Sequence, residues 1–546
     1  MISKLSLSSL LGLSVFTITL LIVSSPLSLD PSIAFAAIDS LYMTKIEFII
    51  CFLILESLVS LYVLLRNKLW DHFDVLIVTL LSIIFYSFLL IESPTVPGWD
   101  PYYHMATLNF FLNRGFVITD TFINLSWVGM YSLYAVLFAI TGLTLFDIMK
   151  WVWVILTCLV GVLIYLLYLS ILKSREYSFL AFLLFLGGNF AVNRIIGFNP
   201  QTLALVFALM FLLILSMKTE ANRSVFLLIL GFLLVITHPI TLVWVLITVF
   251  ILAFFEKDYT LPLIITIMMM TWMIFVAVLS TKSIIFHFVH LSLLDSRKSY
   301  LPLYVQRYLM DYPLWAQLTR STWIFLITSL DFLAIYKLHR NRKCLDKSTR
   351  IMISSTVGLM ILAIPLIFIV SGEFSYKLLL FGSIPACYFA SLAFSGKVKY
   401  CTLLSIFLIF ILLPTFYINN PKLYQLMTHK WEENGFLFMN QHIKVIDDLK
   451  IFCGYDDSRR ILYYLPGTNI GNFISDAWNP AYSDLFLKRF KNGDIEADIY
   501  LVSFRTKIRF YSLYNIGDDE FNKVISLWRK SKNLVYSNGL FQIYAN

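Results

Sequence analysis

Apolar runs close to the length of a bilayer-crossing helix, roughly 20 residues, recur along this chain as far as position 418. Thirteen are read, at about 6–24, 46–65, 74–92, 148–172, 177–196, 199–217, 224–237, 240–256, 260–280, 321–338, 351–371, 378–394 and 401–418. A soluble fold cannot hide so many. Of the 546 residues 59% are hydrophobic and 14% charged, too few polar side chains to clothe that much apolar chain. In a bilayer each run must satisfy its own backbone, which only a helix does within one segment. The reading is a polytopic α-helical membrane protein. The apolar stretch 123–142 breaks the alternation of sides and reads as an interfacial or re-entrant helix.

Charge orients the runs. A net charge of +9 could suit nucleic acid, but much of the surplus lies in short loops: "RNK" at 66–68, "KSR" at 173–175, "HRNRK" at 339–343 and "KVK" at 397–399. Basic loops stay cytoplasmic. These four agree with a cytoplasmic N-terminus and an outside C-terminus, and nucleic acid is not an expected partner. The six cysteines are scattered without a CxxC pair, which argues against a zinc site or a disulfide framework. Lys4 with the following apolar run and "SSPLSLDPSIAFAA" has signal-peptide character. That run is long for a signal, and an uncleaved first span is expected.

This parity puts residues 93–147, 281–320 and everything after 419 outside, with turns near Arg194, His238 and Glu373–Lys377. Three regions are expected: N-terminal spans 1–73, a transmembrane core 74–419 with outer loops 93–147 and 281–320, and a small extracytoplasmic α/β domain, 420–546. In the last, "KIFCGY" (450–455) and "DIYLVSF" (498–504) read as strands, and "DDSRRILYYL" (456–465) as a helix with an acidic start. "DDEFNKVISLWRK" (518–530) reads as an amphipathic helix with acids first and bases last, as the helix dipole favours. "LVYSNGLFQIY" reads as a hairpin turning at Asn538–Gly539.

"GWDPYYHM" (98–105) places Asp100 where an apolar run reaches the outer side. Asp-Pro is a strong helix start: the carboxylate caps free amides, and proline fits the first turn. Tyr102 and Tyr103 suit the headgroup level. A cap also holds its carboxylate at a fixed place, so a structural and a chemical role are compatible. Glu56 and Asp331 fall inside spans, where an acid is costly and often functional.

The Asp100-Pro101-Tyr102-Tyr103 run resembles the first outer loop of the GT-C glycosyltransferases, notably the archaeal and bacterial relatives of the oligosaccharyltransferase catalytic subunit. His104 departs from the oligosaccharyltransferase pattern and is similar to that of less studied relatives. "RIIGFNPQTLALVFALMFLLIL" (194–215) resembles the family's Pro-Gln-Thr span, and "VITHPITLVW" (235–244) its Thr-His-Pro turn. "EFSYKLLLFGSIPACYFAS" (373–391) resembles its late span, with Lys377 where arginine is usual. The resemblance runs from about 74 to 546 and implies a GT-C-like fold. The "WWDYG" acceptor-sequon motif is absent, so the resemblance does not extend to transfer onto Asn-X-Ser/Thr.

The resemblance implies an inverting membrane glycosyltransferase. The donor would be a sugar on a polyprenyl phosphate, and the acceptor a glycan, lipid or protein at the outer face of the bilayer. Transfer needs a base for the acceptor proton and fixed positive charge beside the departing phosphate. Asp100 is the expected base, or alternatively orients a divalent metal, Mg or Mn; Asp120 is a second acid in the same loop. His238, Lys377 and Arg194 are the expected phosphate contacts, with Tyr103, His104 and Glu373 in support. Each cation also has a structural reading: His238 as a helix cap, and Lys377 and Arg194 as side chains reaching headgroups. The competing function is a transporter or flippase of lipid-linked sugars, which would show broken spans in matching halves; no such repeat is found.

Overall fold

The structure, a computed structural model, describes residues 72–87, 100–119, 123–188, 199–217, 222–282, 325–337, 346–369 and 372–394. It also describes most of 54–63 and 396–412 and, within 430–545, the elements given below with some residues around them. The first expected span, Glu56, the loop 283–320 and the hairpin turn at 539–540 lie outside the described residues. The chain divides into two compact units: Met1–Glu92 with Ile123–Lys422, and Ser93–Phe122 with Leu423–Asn546.

The first unit is helical. Helix α1 (His72–Ser82) continues into a π turn, Ile83–Ser87. Helix α2 (Asp100–Arg114) belongs to the other unit. Then come α3 (Gly129–Thr141), α4 (Leu145–Leu172), α5 (Arg175–Gly187), α6 (Pro200–Ser216), α7 (Arg223–Thr237), α8 (Pro239–Glu256), α9 (Thr260–Phe275), α10 (Lys347–Ile369) and α11 (Gly372–Leu392). Among the described residues α4 and α8 are each long and apolar enough to cross a membrane. Most of the others are shorter apolar helices, and α10 and α11 have 23 and 21 residues. Helix α9 turns Leu263, Ile267, Met270 and Ile274 outward, a stripe at helical spacing that is half exposed or more. A helix apolar on its outer face needs an apolar solvent. Such a face fits the membrane-spanning reading of the sequence.

Helix starts follow local chemistry. Thr144, Ser174, Asn199 and His238 each accept a backbone N–H from three residues on, and Pro200 and Pro239 sit in first turns. Within the expected 177–196 span helix α5 ends at Gly187, with Gly188 as its cap, and residues 189–196 lie outside the described residues. The expected 260–280 span breaks at Val276–Ala277. Residues 123–142 form a short 3-10 turn and the 13-residue helix α3. At 1.5 Å per residue it reaches about 20 Å, short of the roughly 30 Å of a hydrocarbon core.

Two features hold the first unit together. Helix α4 lies against α1, α5 and α6, so closely to α1 that a Cβ on Gly161 would stand 1.8 Å from Ser82 Oγ. Buried Asp74 accepts hydrogen bonds from Tyr62 (2.5 Å), Tyr165 (2.8 Å) and Arg175 Nε (2.7 Å). A buried carboxylate is tolerable only when it is paired in this way.

The second unit is α/β. Its sheet has the order β2-β1-β3-β5-β4, with β1 (Ile451–Phe452) parallel to β2 (Phe473–Ile474) and β3 (Ile499–Ser503). Strand β5 (Phe541–Ala545) runs antiparallel to β3 and to β4 (Asn533–Ser537). Helix α14 (Asp518–Ser531) buries Phe521, Val524, Ile525 and Trp528 against Phe452, Tyr500 and Tyr544. Helices α12 (Lys430–His442) and α13 (Tyr455–Tyr464) contribute Phe436, Met439 and Ile461 to a second cluster with Ile451, Leu501 and Ile543. Helix α2, within the expected outer loop 93–147, groups with the α/β domain, its Tyr103 and Ala106 packing with Leu462 of α13.

Candidate functional site

Helix α2 begins at Asp100 with Pro101 behind it, so the ring's missing N–H falls where no intrahelical bond is due. From Tyr102 to Leu108 every side chain is buried. Tyr102, fully buried, lies 5.9 Å from the rings of both Tyr463 and Tyr464. The Arg460 guanidinium stands 5.3 Å from its ring centre, within cation–π range. Tyr103 and Ala106 close on Leu462, with Tyr463 and Phe473 packed against them. His104 is buried and meets the Tyr103 ring edge-on at 5.7 Å.

Arg460 is itself fully buried and pairs at 3.9 Å with fully buried Asp457. The Asp457 carboxylate accepts hydrogen bonds from Ser503 (2.5 Å) and Thr506 (2.9 Å). These groups lie just past the C-terminal ends of β1 and β3, the crevice where open α/β sheets commonly take ligands. Here the chain's own carboxylate and hydroxyls engage one another there. Burial pushes the Tyr463 phenol up to about 12, with Tyr102 and the Glu433 carboxylate adding to it. Tyr464 is raised further for the same reasons.

Of the residues expected at the site, α2 brings Asp100, Tyr103 and His104 onto one helix. His238 lies in the first unit, at the junction of α7 and α8. It is a cap there: Nδ1 accepts the Thr241 N–H at 3.3 Å. With Nδ1 accepting, the ring proton sits on Nε2, which is then a donor. Glu373 and Lys377 lie in the first turns of α11. Arg194 and Asp120 lie outside the described residues, as do the side chains of Asp100, Glu373 and Lys377. Among the described residues no three His, Cys, Asp or Glu side chains gather as they would to hold a metal ion, and no step below is routed through one.

Sequence reading missed two residues. Gln201, in the first turn of α6, is buried, and its amide nitrogen has no hydrogen-bond partner among the described residues. Arg460 was read only as part of the helix expected over 456–465. Nothing local distinguishes a buried arginine from an exposed one. Asp331 Oδ1, in the helix 325–337, is likewise buried without a hydrogen-bond partner among the described residues.

No family model matches this chain, and no curated protein matches it. Among solved structures it is similar to ArnT from Cupriavidus metallidurans in the apo state, with a TM-score of 0.50 at 11% identity, covering 88% of this chain and 98% of that one. ArnT from the same organism bound to undecaprenyl phosphate aligns over 87% and 98%, with a TM-score of 0.49 at 10% identity. With the apo structure the chain shares the fold of ArnT.

Proposed function

We propose that the protein is a membrane glycosyltransferase that moves a sugar from a polyprenyl-phosphate carrier to an acceptor at the outer face of the membrane, with Asp100 as general base. What supports the reading is a fold shared with ArnT together with a helix that starts at Asp100–Pro101; general-base catalysis needs an acid within reach of the acceptor proton.

The acceptor hydroxyl oxygen attacks the anomeric carbon while the bond from that carbon to the phosphate oxygen breaks. The hydroxyl proton passes to Asp100, and polyprenyl phosphate leaves with the bonding electron pair. Charge grows on the phosphate, and donors fixed beforehand lower the barrier most. His238 Nε2–H, Lys377 and Arg194 are the proposed donors. Gln201, whose amide nitrogen has no partner among the described residues, joins them.

Asp100→Asn is the test. Asparagine caps helices about as well as aspartate, so the variant keeps the helix start and loses the base. The expected loss in transfer is roughly 10²- to 10⁴-fold. It is measured as consumption of the lipid-linked sugar that accumulates in cells lacking the protein. Parental transfer by the asparagine variant, or no accumulating lipid-linked sugar, refutes the reading.

A further inference from the structure

We propose that Arg460 is a positioning residue: from the α/β domain it clamps Tyr102 and thereby fixes where Asp100 stands. The inference rests on the catalytic reading of Asp100.

Arginine is an expensive choice for this place. Burial of a charge is costly before pairing, and an apolar side chain of similar size would fill the space without that cost. Yet Arg460 is fully buried, and its partner Asp457 is held in turn by Ser503 and Thr506 beyond β3. The sheet, α13 and the guanidinium therefore form one chain of fixed contacts, and the ring of Tyr102 lies at its end. Tyr102 is also flanked by Tyr463 and Tyr464. Asp100 follows two residues away along the same helix, about 3 Å of rise. A helix held that near its first residue cannot tilt or slide without moving the acid. Displacement of a reacting group by about 1 Å can cost on the order of 10²-fold in rate, so a clamp here has a kinetic consequence that packing alone lacks.

The clamp needs a ring and a cation, not the phenol hydroxyl. Tyr102→Phe should keep it, whereas Tyr102→Leu and Arg460→Met should each break it. Each variant is made in the whole protein and assayed on the total lipid extract of cells lacking it, at limiting and at saturating extract. Expected is a fall of about 10- to 100-fold in saturated rate for the leucine and methionine variants. The half-saturating extract concentration should stay close to parental, and the Phe variant should keep full rate. The melting temperature of the leucine and methionine variants in detergent should fall, because Arg460→Met leaves Asp457 buried without its cation and Tyr102→Leu leaves a cavity. The double variant Tyr102→Leu/Arg460→Met should be no slower than the slower single one, because both break the same clamp. If Arg460→Met does not fold, Arg460→Gln, which removes the cation but keeps a hydrogen-bonding group beside Asp457, and Tyr102→Leu carry the same comparison.

Losses that multiply in the double variant, or a lowered melting temperature at parental rate, overturn the clamp. Asp100→Asn in the same assay separates the two ideas. An inactive Asn variant with multiplying losses sinks the clamp alone, and a fully active Asn variant sinks the catalytic reading on which it stands.

Discussion

Tyr463 and Tyr464 keep their phenols protonated beyond the ordinary range because burial penalises the phenolate, and Tyr102 and Glu433 add to it. An unfolded tyrosine titrates near 10. The folded pKa is raised, so the stability that follows is fully present below about pH 10 and is lost as pH rises through about 12 for Tyr463. The protein should therefore lose stability across that interval. Tyr463→Phe, which removes the titrating group, should flatten the fall; urea midpoints measured at steps of pH check this, and an unchanged slope in the variant counts against it. At this scale capping was legible in the sequence, because it is chemistry between residues three apart. Asp100–Pro101 opens a helix and His238 caps one. Arg460 was not legible, because its burial is decided by a ring roughly 350 positions away.

Among elements, the spans whose ends carry a cap were legible. Expected limits of 199–217, 224–237 and 240–256 correspond to Pro200–Ser216, Arg223–Thr237 and Pro239–Glu256. Strand β2 was missed because two residues show no period, and α12 because its mixed sequence carries little apolar pattern. The π turn at Ile83–Ser87 was missed too; its sequence is as apolar as the α-helix before it. Close approach of helices is equally invisible until the partner is known. At Gly161 an added Cβ would stand 2.7 Å from Ser82 Cβ, carbon against carbon with no flexible end to give way. Gly161→Ala should cost roughly 1–3 kcal/mol, seen as a lower melting temperature in detergent. Adding Ser82→Gly should recover part of it, and a neutral Gly161→Ala would mean that α1 and α4 are not packed this closely.

For the molecule as a whole, the change in composition near 420 lies beside the boundary at Lys422–Leu423 between the two units. The grouping of helix α2 with the α/β unit was not legible, since a loop gives no local sign of the distant elements on which it packs. If basic loops set the sidedness, Asn113 and Asn440, both exposed, share the outer face. In a variant stripped of its native cysteines, Asn113→Cys and Asn440→Cys should react with an impermeant maleimide on intact cells, and Lys343→Cys should not. Labelling of Lys343→Cys with protection of the other two inverts the topology and removes the outer site. The pairing of α2 with α13 also has a consequence for synthesis. The chain emerges at about 5–20 residues per second, so Tyr102 precedes Arg460 by on the order of tens of seconds. For that interval the apolar face of α2 has no mate and is open to chaperones and proteases. A ribosome halted before residue 450 leaves a protein whose helical unit has been made but whose α2 is still uncovered.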